Sequence, residues 1–180
     1  QDVAKLGLVH VHVPADRHEH GLAVGGVEDG LARLRCGDAQ VVGQRLAAAG
    51  ARVVLIGTHA EEALCRSVAQ AVPGAVSVAG ETSLPVLAAL LERASLLVTN
   101  DSGPMHMAAA LGVPLAVPFG PETPKRFGPR GRAPCAVFTA AARPGGPVWW
   151  DGISVDTVAE AAARLFAEGS APARPRDGTS

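Results

Sequence analysis

Tyrosine is absent and aromatic residues make up only 3% of the chain, which argues against a base-stacking surface for nucleic acid. Charge points the same way. Sixteen Lys and Arg against seventeen Asp and Glu leave a formal net charge of −1, with no electrostatic footprint for nucleic acid or an anionic membrane. Cysteine is scarce: Cys36, Cys65 and Cys135 are isolated, odd in number and never spaced Cys-x-x-Cys. A disulfide framework and a zinc knuckle are therefore not expected, and a reducing compartment is. No apolar run reaches membrane-spanning length, because Glu92 and Arg93 interrupt the best one. The first residues lack a basic region followed by a clean apolar one, so no signal peptide is expected and the location is taken as cytoplasmic. Gln1 rather than methionine opens the chain, which suits a piece of something longer. Glycine is plentiful but never forms Gly-x-Gly-x-x-Gly after a strand, nor a Walker loop, so dinucleotide and ATPase readings lose their usual support.

What is present suits one domain. The 180 residues are 48% hydrophobic, enough to bury a proper core. Leu6 to Val13 alternates apolar residues with His10 and His12 and predicts a strand, followed by a polar loop from Pro14 to His20 and a Gly-rich passage through Gly37. His10, His12, His18 and His20 invite a metal site, but no carboxylate or cysteine stands at a telling ligand spacing. A sheet-edge pair with a solvated loop is the simpler reading, and no metal is expected.

Val41 to Ala49 has helical period and stops at Gly50. Arg52 to Gly57 is the clearest strand, being β-branched, apolar and short. Thr58 to Glu62 opens a helix to about Ala71, and Thr58 with Glu61 fits a capping box, which competes with ligand contact for either Glu61 or Glu62. Ala75–Ala79 reads as a strand, Leu84–Arg93 as a helix, Pro114–Phe119 and Cys135–Phe138 as strands, and Asp156–Ala167 as a closing helix. Gly120 to Arg132 is expected to be a loop. Its Lys125, Arg126, Arg130 and Arg132 could meet a diphosphate or form a solvated basic turn. Strand and helix alternate, which predicts βαβ units and a mostly parallel α/β sheet, Rossmann-like, over 1–168, with 1–37 atypical and 169–180 a disordered tail.

The centre of the chain is Leu96 to Leu111. Leu96, Leu97 and Val98 form a short apolar strand, Thr99 to Pro104 packs turn and cap formers together, and Met105 to Leu111 reads as a helix stopped by Gly112. Asp101 and Ser102 are thus expected at a strand's carboxyl end and a helix's amino end together. Open α/β sheets bind ligands there, and helix N–H groups favour anions. The plainer alternative is that Asp101 or Ser102 is only an N-cap, contributing roughly 1 kcal/mol.

Asn100-Asp101-Ser102-Gly103-Pro104-Met105-His106, Ala108-Ala109-Ala110-Leu111-Gly112-Val113-Pro114 and Phe119-Gly120-Pro121-Glu122-Thr123-Pro124 resemble the signature of the family 9 glycosyltransferases, the ADP-heptose:lipopolysaccharide heptosyltransferases and their relatives. The likeness runs from about Gly50 to Phe166 and takes in Gly80-Glu81-Thr82-Ser83-Leu84. It implies the C-terminal, donor-binding half of a two-lobed GT-B enzyme. The donor would be a nucleotide sugar, ADP-linked, acting as substrate, with no cofactor. Asp101 would bind the sugar's hydroxyls, Ser102 and Gly103 the diphosphate, and His106 would line the same pocket unless it packs against the sheet. Glu61 or Glu62 would hold the ribose hydroxyls, while Thr82, Ser83 and Leu84 frame the adenine.

The implied transfer to a lipopolysaccharide-type acceptor is inverting and metal-independent, at the cytoplasmic side and as a variant at the inner face of the membrane. The catalytic base belongs to an N-terminal acceptor lobe, in the same parent chain or a separate one. One departure concerns the first loop, where the family carries a Lys and a Trp-Pro pair. The equivalent region here, Pro14 to His20 and then Gly25 to Gly37, has no Lys and no Trp, and Arg17 is the nearest cationic substitute. Two other readings stay open: a non-catalytic nucleotide-sugar-binding or interaction domain, and a UDP-sugar GT-B enzyme.

Overall fold

The computed structural model describes residues 6–10, 36–119, 124–139 and 152–168. The end of the first expected strand (11–13), the Pro14–His20 loop with Arg17, the glycine passage up to residue 35 and the expected tail from Gly169 lie outside them. Leu6–His10 forms strand β1 and Cys36–Ala48 forms helix α1. This helix starts five residues before the expected Val41. Ala39, Val42 and Leu46 recur at helical spacing and are fully buried, and Asp38 in the first turn complements the helix dipole.

Arg52–Ile56 is β2, and a 3₁₀ turn, His59–Glu61, leads into α2, Glu62–Ala71. Val76–Ser77 is β3, shorter than expected, and Leu84–Glu92 is α3. Ala94–Val98 is β4 and Gly103–Leu111 is α4, ended by Gly112 in the left-handed conformation (φ 77°), which glycine adopts without steric penalty. Leu115–Phe119 is β5, Cys135–Thr139 is β6, and Val155–Glu168 is α6.

The expected loop from Gly120 to Arg132 is corrected by a short helix, α5, at Pro124–Phe127. Proline suits a helix's first turn, Gly128 N–H closes on Pro124 O at 2.8 Å, and Arg130 Nη2 donates to the carbonyls of Lys125 and Arg126. Arg126 also lies 5.0 Å over the Phe127 ring.

The six strands pair in parallel in the order β3-β2-β1-β4-β5-β6. The order in which successive strands are added reverses at the β1–β4 junction, the switch point where such sheets leave a crevice. Strands β2, β4 and β5 bury residues on both faces. Val53, Leu55, Leu96 and Val98 pack beneath α1, α2 and α6; Val54, Ile56, Leu97, Leu115, Val117 and Phe119 pack beneath α3 and α4. Gly43 lets α1 lie close to the end of α2, since a Cβ there would stand 2.8 Å from Val72 Cγ2.

Candidate functional site

Three strand-to-helix turns meet at the carboxyl edge of the sheet. They wall a cavity of about 410 Å³ with Ile56, Gly57 and Thr58 at and after the end of β2, Thr82, Leu84 and Leu87 before and within α3, and Ser102, Gly103 and Pro104 at the start of α4. That size falls within the usual range of small-molecule sites. The walls differ in character. Leu84 is 71% exposed and Leu87 is buried beneath it, so α3 offers an apolar side. The α4 side presents the positive end of a helix dipole.

The α4 wall is shaped by its own turn. Ser102 occupies the N-cap position with extended backbone, yet its side chain makes no capping bond to the helix. Its Oγ instead pairs with Thr99 Oγ1 at 2.9 Å, and Thr99 Oγ1 also donates to Asn100 O at 3.2 Å. The purely capping role for Ser102 is thereby corrected, because the hydroxyl is drawn sideways to Thr99. Pro104 in the first helical turn lacks only an N–H that has no intrahelical partner there. Asp101 is half-buried on the same turn, next to the cavity wall. Asn100 Oδ1 is buried with no hydrogen-bond partner at the end of β4.

Glu61 and Glu62 take different places. Glu61 is fully buried; its Oε2 accepts from Thr58 N–H at 2.5 Å and from Thr58 Oγ1 at 2.8 Å, realising the expected capping box. It holds Thr58, a wall residue, from behind. Gly57 makes room for it, since a Cβ there would come 3.1 Å from Glu61 Oε2 and from Cys65 Sγ. Glu62 points outward, bonded through Oε1 to His59 Nδ1 and with Arg66 Nη2 3.9 Å from Oε2. Its carboxylate lies against Gly80, and Gly80 N–H donates to Gly57 O at 3.0 Å.

Of the remaining expected residues, Thr82, Leu84, Ser102 and Gly103 line the cavity. Ser83 is the exposed N-cap of α3 and stands outside the wall. His106 is exposed on α4, which removes the alternative that it packs against the sheet: Met105, Ala108 and Ala109 fill that face of the helix. It is not among the cavity-lining residues either. Five wall residues were not among the expected site residues: Ile56, Gly57, Thr58, Leu87 and Pro104; the first two end the clearest strand, which was the available signal. Lys125, Arg126 and Arg130 stay outside the cavity wall, with Arg130 engaged at the end of α5. Burial pushes the Cys135 thiol up, away from the thiolate form that nucleophilic chemistry needs. Among the described residues, no group of three or more His, Cys, Asp or Glu is placed to hold a metal ion; His12, His18 and His20 lie outside them.

Residues 40–142 match the family model described as glycosyltransferase family 9 (heptosyltransferase), more than half of the chain. The chain belongs to glycosyltransferase family 9. A stretch of 81 residues is 37% identical to lipooligosaccharide heptosyltransferase 2 of Haemophilus influenzae, covering 42% of this chain and 23% of that protein. The fold is similar to that of E. coli ADP-heptose lipopolysaccharide heptosyltransferase II, with TM-score 0.73 and 24% identity, over 94% of this chain and 49% of the other. An E. coli heptosyltransferase solved with ADP superposes with TM-score 0.64 and 22% identity, over 95% of this chain and 46% of that one. The chain therefore spans about half the length of these family 9 structures. Among the described residues, no helix is long and apolar enough to cross a membrane.

Proposed function

We propose that this family 9 chain is the donor-binding lobe of a heptosyltransferase-like glycosyltransferase that takes an ADP-linked sugar. The observation that carries the reading is the cavity's construction: an apolar α3 side faces the amino end of α4 across the switch-point edge of the sheet. A nucleotide diphosphate needs both surfaces, one for the base and one for the anion.

In this reading Thr82 and Leu84 border the adenine, and Ser102 and Gly103 receive the diphosphate. Asp101 accepts hydrogen bonds from the donor sugar's hydroxyls. Glu62 accepts from the ribose diol, while Glu61 keeps Thr58 in place. An acceptor hydroxyl, deprotonated by a base, attacks the anomeric carbon; the bond to the diphosphate oxygen breaks with its electron pair, and ADP leaves with inversion. The amino end of α4 stabilises the charge that develops on the leaving diphosphate, with no metal ion called for. The base and the acceptor site belong to an N-terminal lobe, the partner this half requires, and the acceptor is of lipopolysaccharide type.

Calorimetric titration of the chain and of Asp101→Ala with ADP and an ADP-sugar tests the assignment. The unaltered chain should bind the ADP-sugar about tenfold more tightly than ADP, and Asp101→Ala should lose that margin while keeping its affinity for ADP. An equal loss for both ligands would contradict the sugar-binding role.

A further inference from the structure

Four described glycines have positive φ, and one of them is unlike the rest. At Gly50 (φ 87°), Gly74 (φ 70°) and Gly112 (φ 77°) a Cβ would meet nothing within 4 Å. At Gly80 (φ 77°) a Cβ would stand 2.1 Å from Glu62 Oε1, 2.9 Å from its Cδ and 3.0 Å from its Cγ. The glutamate arm from α2 thus rests directly on the Gly80 Cα. All three atoms belong to a flexible side chain, so an added methyl displaces the carboxylate rather than the sheet. Gly80 itself is fixed, because its N–H is bonded to Gly57 O at 3.0 Å. Gly57, which accepts that bond, and Thr82, two residues beyond Gly80, both line the cavity, so Gly80 joins two segments of its wall while Glu62 stands just behind them. His59 Nδ1 bonds the same Oε1, Arg66 Nη2 lies 3.9 Å from Oε2, and the Glu62 side chain is 32% exposed.

We propose that Gly80 is a positioning residue whose missing side chain is the berth for the Glu62 carboxylate, setting it as acceptor for the vicinal hydroxyls of the nucleotide's ribose. This rests on the donor-lobe reading above. A carboxylate takes both hydroxyls of a diol only when its two oxygens are presented in one orientation, and the berth supplies that orientation.

The test is the ratio of affinities for ADP and 2′-deoxy-ADP, measured by calorimetry on the whole chain. The unaltered chain should prefer ADP about tenfold. Glu62→Gln and Gly80→Ala should each reduce the preference to about twofold or less, whereas Gly74→Ala, which carries the same backbone strain and meets no neighbour, should retain it. Full preference in Gly80→Ala, with Glu62→Gln impaired, would overturn the positioning role and leave the donor-lobe reading standing. No preference in the unaltered chain, or none lost in Glu62→Gln, would remove the role given to Glu62 and this inference with it. Should Gly80→Ala fail to fold, Glu62→Ala combined with Gly80→Ala removes the obstructing arm and should match the thermal stability of Gly74→Ala. A double variant that is still unfolded would show that the gap at Gly80 does not serve Glu62.

Discussion

Two neighbouring glutamates divide the labour at the start of α2. Glu61 turns inward and accepts both the N–H and the hydroxyl of Thr58, while Glu62 turns outward to His59 and Gly80. Removing a buried carboxylate that satisfies two donors leaves both unpaired, so Glu61→Ala should lose about 2 kcal/mol of unfolding free energy in urea titration. A loss under about 0.5 kcal/mol, the scatter of surface substitutions, would contradict the anchoring role. The Thr58-to-Glu61 spacing was legible in the sequence because a capping box is local. Which glutamate faces outward was not. The 3₁₀ turn His59–Glu61 advances by three residues per turn rather than 3.6, which shifts the phase that a helical reading assumes. His106 was illegible for a related reason: residue spacing alone does not say how far the buried stripe of α4 extends around the helix.

At the scale of elements, glycines test how the helices begin and end. Gly37 lies in the first turn of α1 with no neighbour within 4 Å of a Cβ and no positive φ, so Gly37→Ala should stabilise the chain by about 0.5–1 kcal/mol. Gly112 ends α4 in the left-handed region with equal space around it, so Gly112→Ala should destabilise by about 1–2 kcal/mol through backbone strain alone. Denaturant titrations with opposite signs support these assignments; equal signs would refute them. Strands β2 and β5 and helices α3 and α6 were legible to within about one residue, because β-branched runs and amphipathic periods are local signals. The early start of α1 was not, since Gly37 argues against a helix until Ala39, Val42 and Leu46 are seen packed on the sheet. Helix α5 escaped as well: its carbonyls are held by Arg130, a partner that follows the helix and leaves no periodic trace.

For the whole molecule, alternation of strand and helix predicted a parallel sheet, and the order β3-β2-β1-β4-β5-β6 adds what the alternation cannot state: β4 pairs with β1, placing the crevice between them. The Asn100–His106 turn stood out in the sequence because turn formers, a carboxylate and a helix start converge there, and its Ser102, Gly103 and Pro104 line the cavity; the α3 wall opposite was visible only through the family likeness. About half the length of the family 9 structures is spanned here, so the proposed donor site is tested by binding rather than by turnover. The most direct measurement is calorimetric titration of the chain with ADP and with UDP. The account predicts saturable one-to-one binding of ADP, at least about tenfold tighter than UDP. Binding of neither nucleotide, or a preference for UDP, would contradict the assignment of this cavity to an ADP-linked donor.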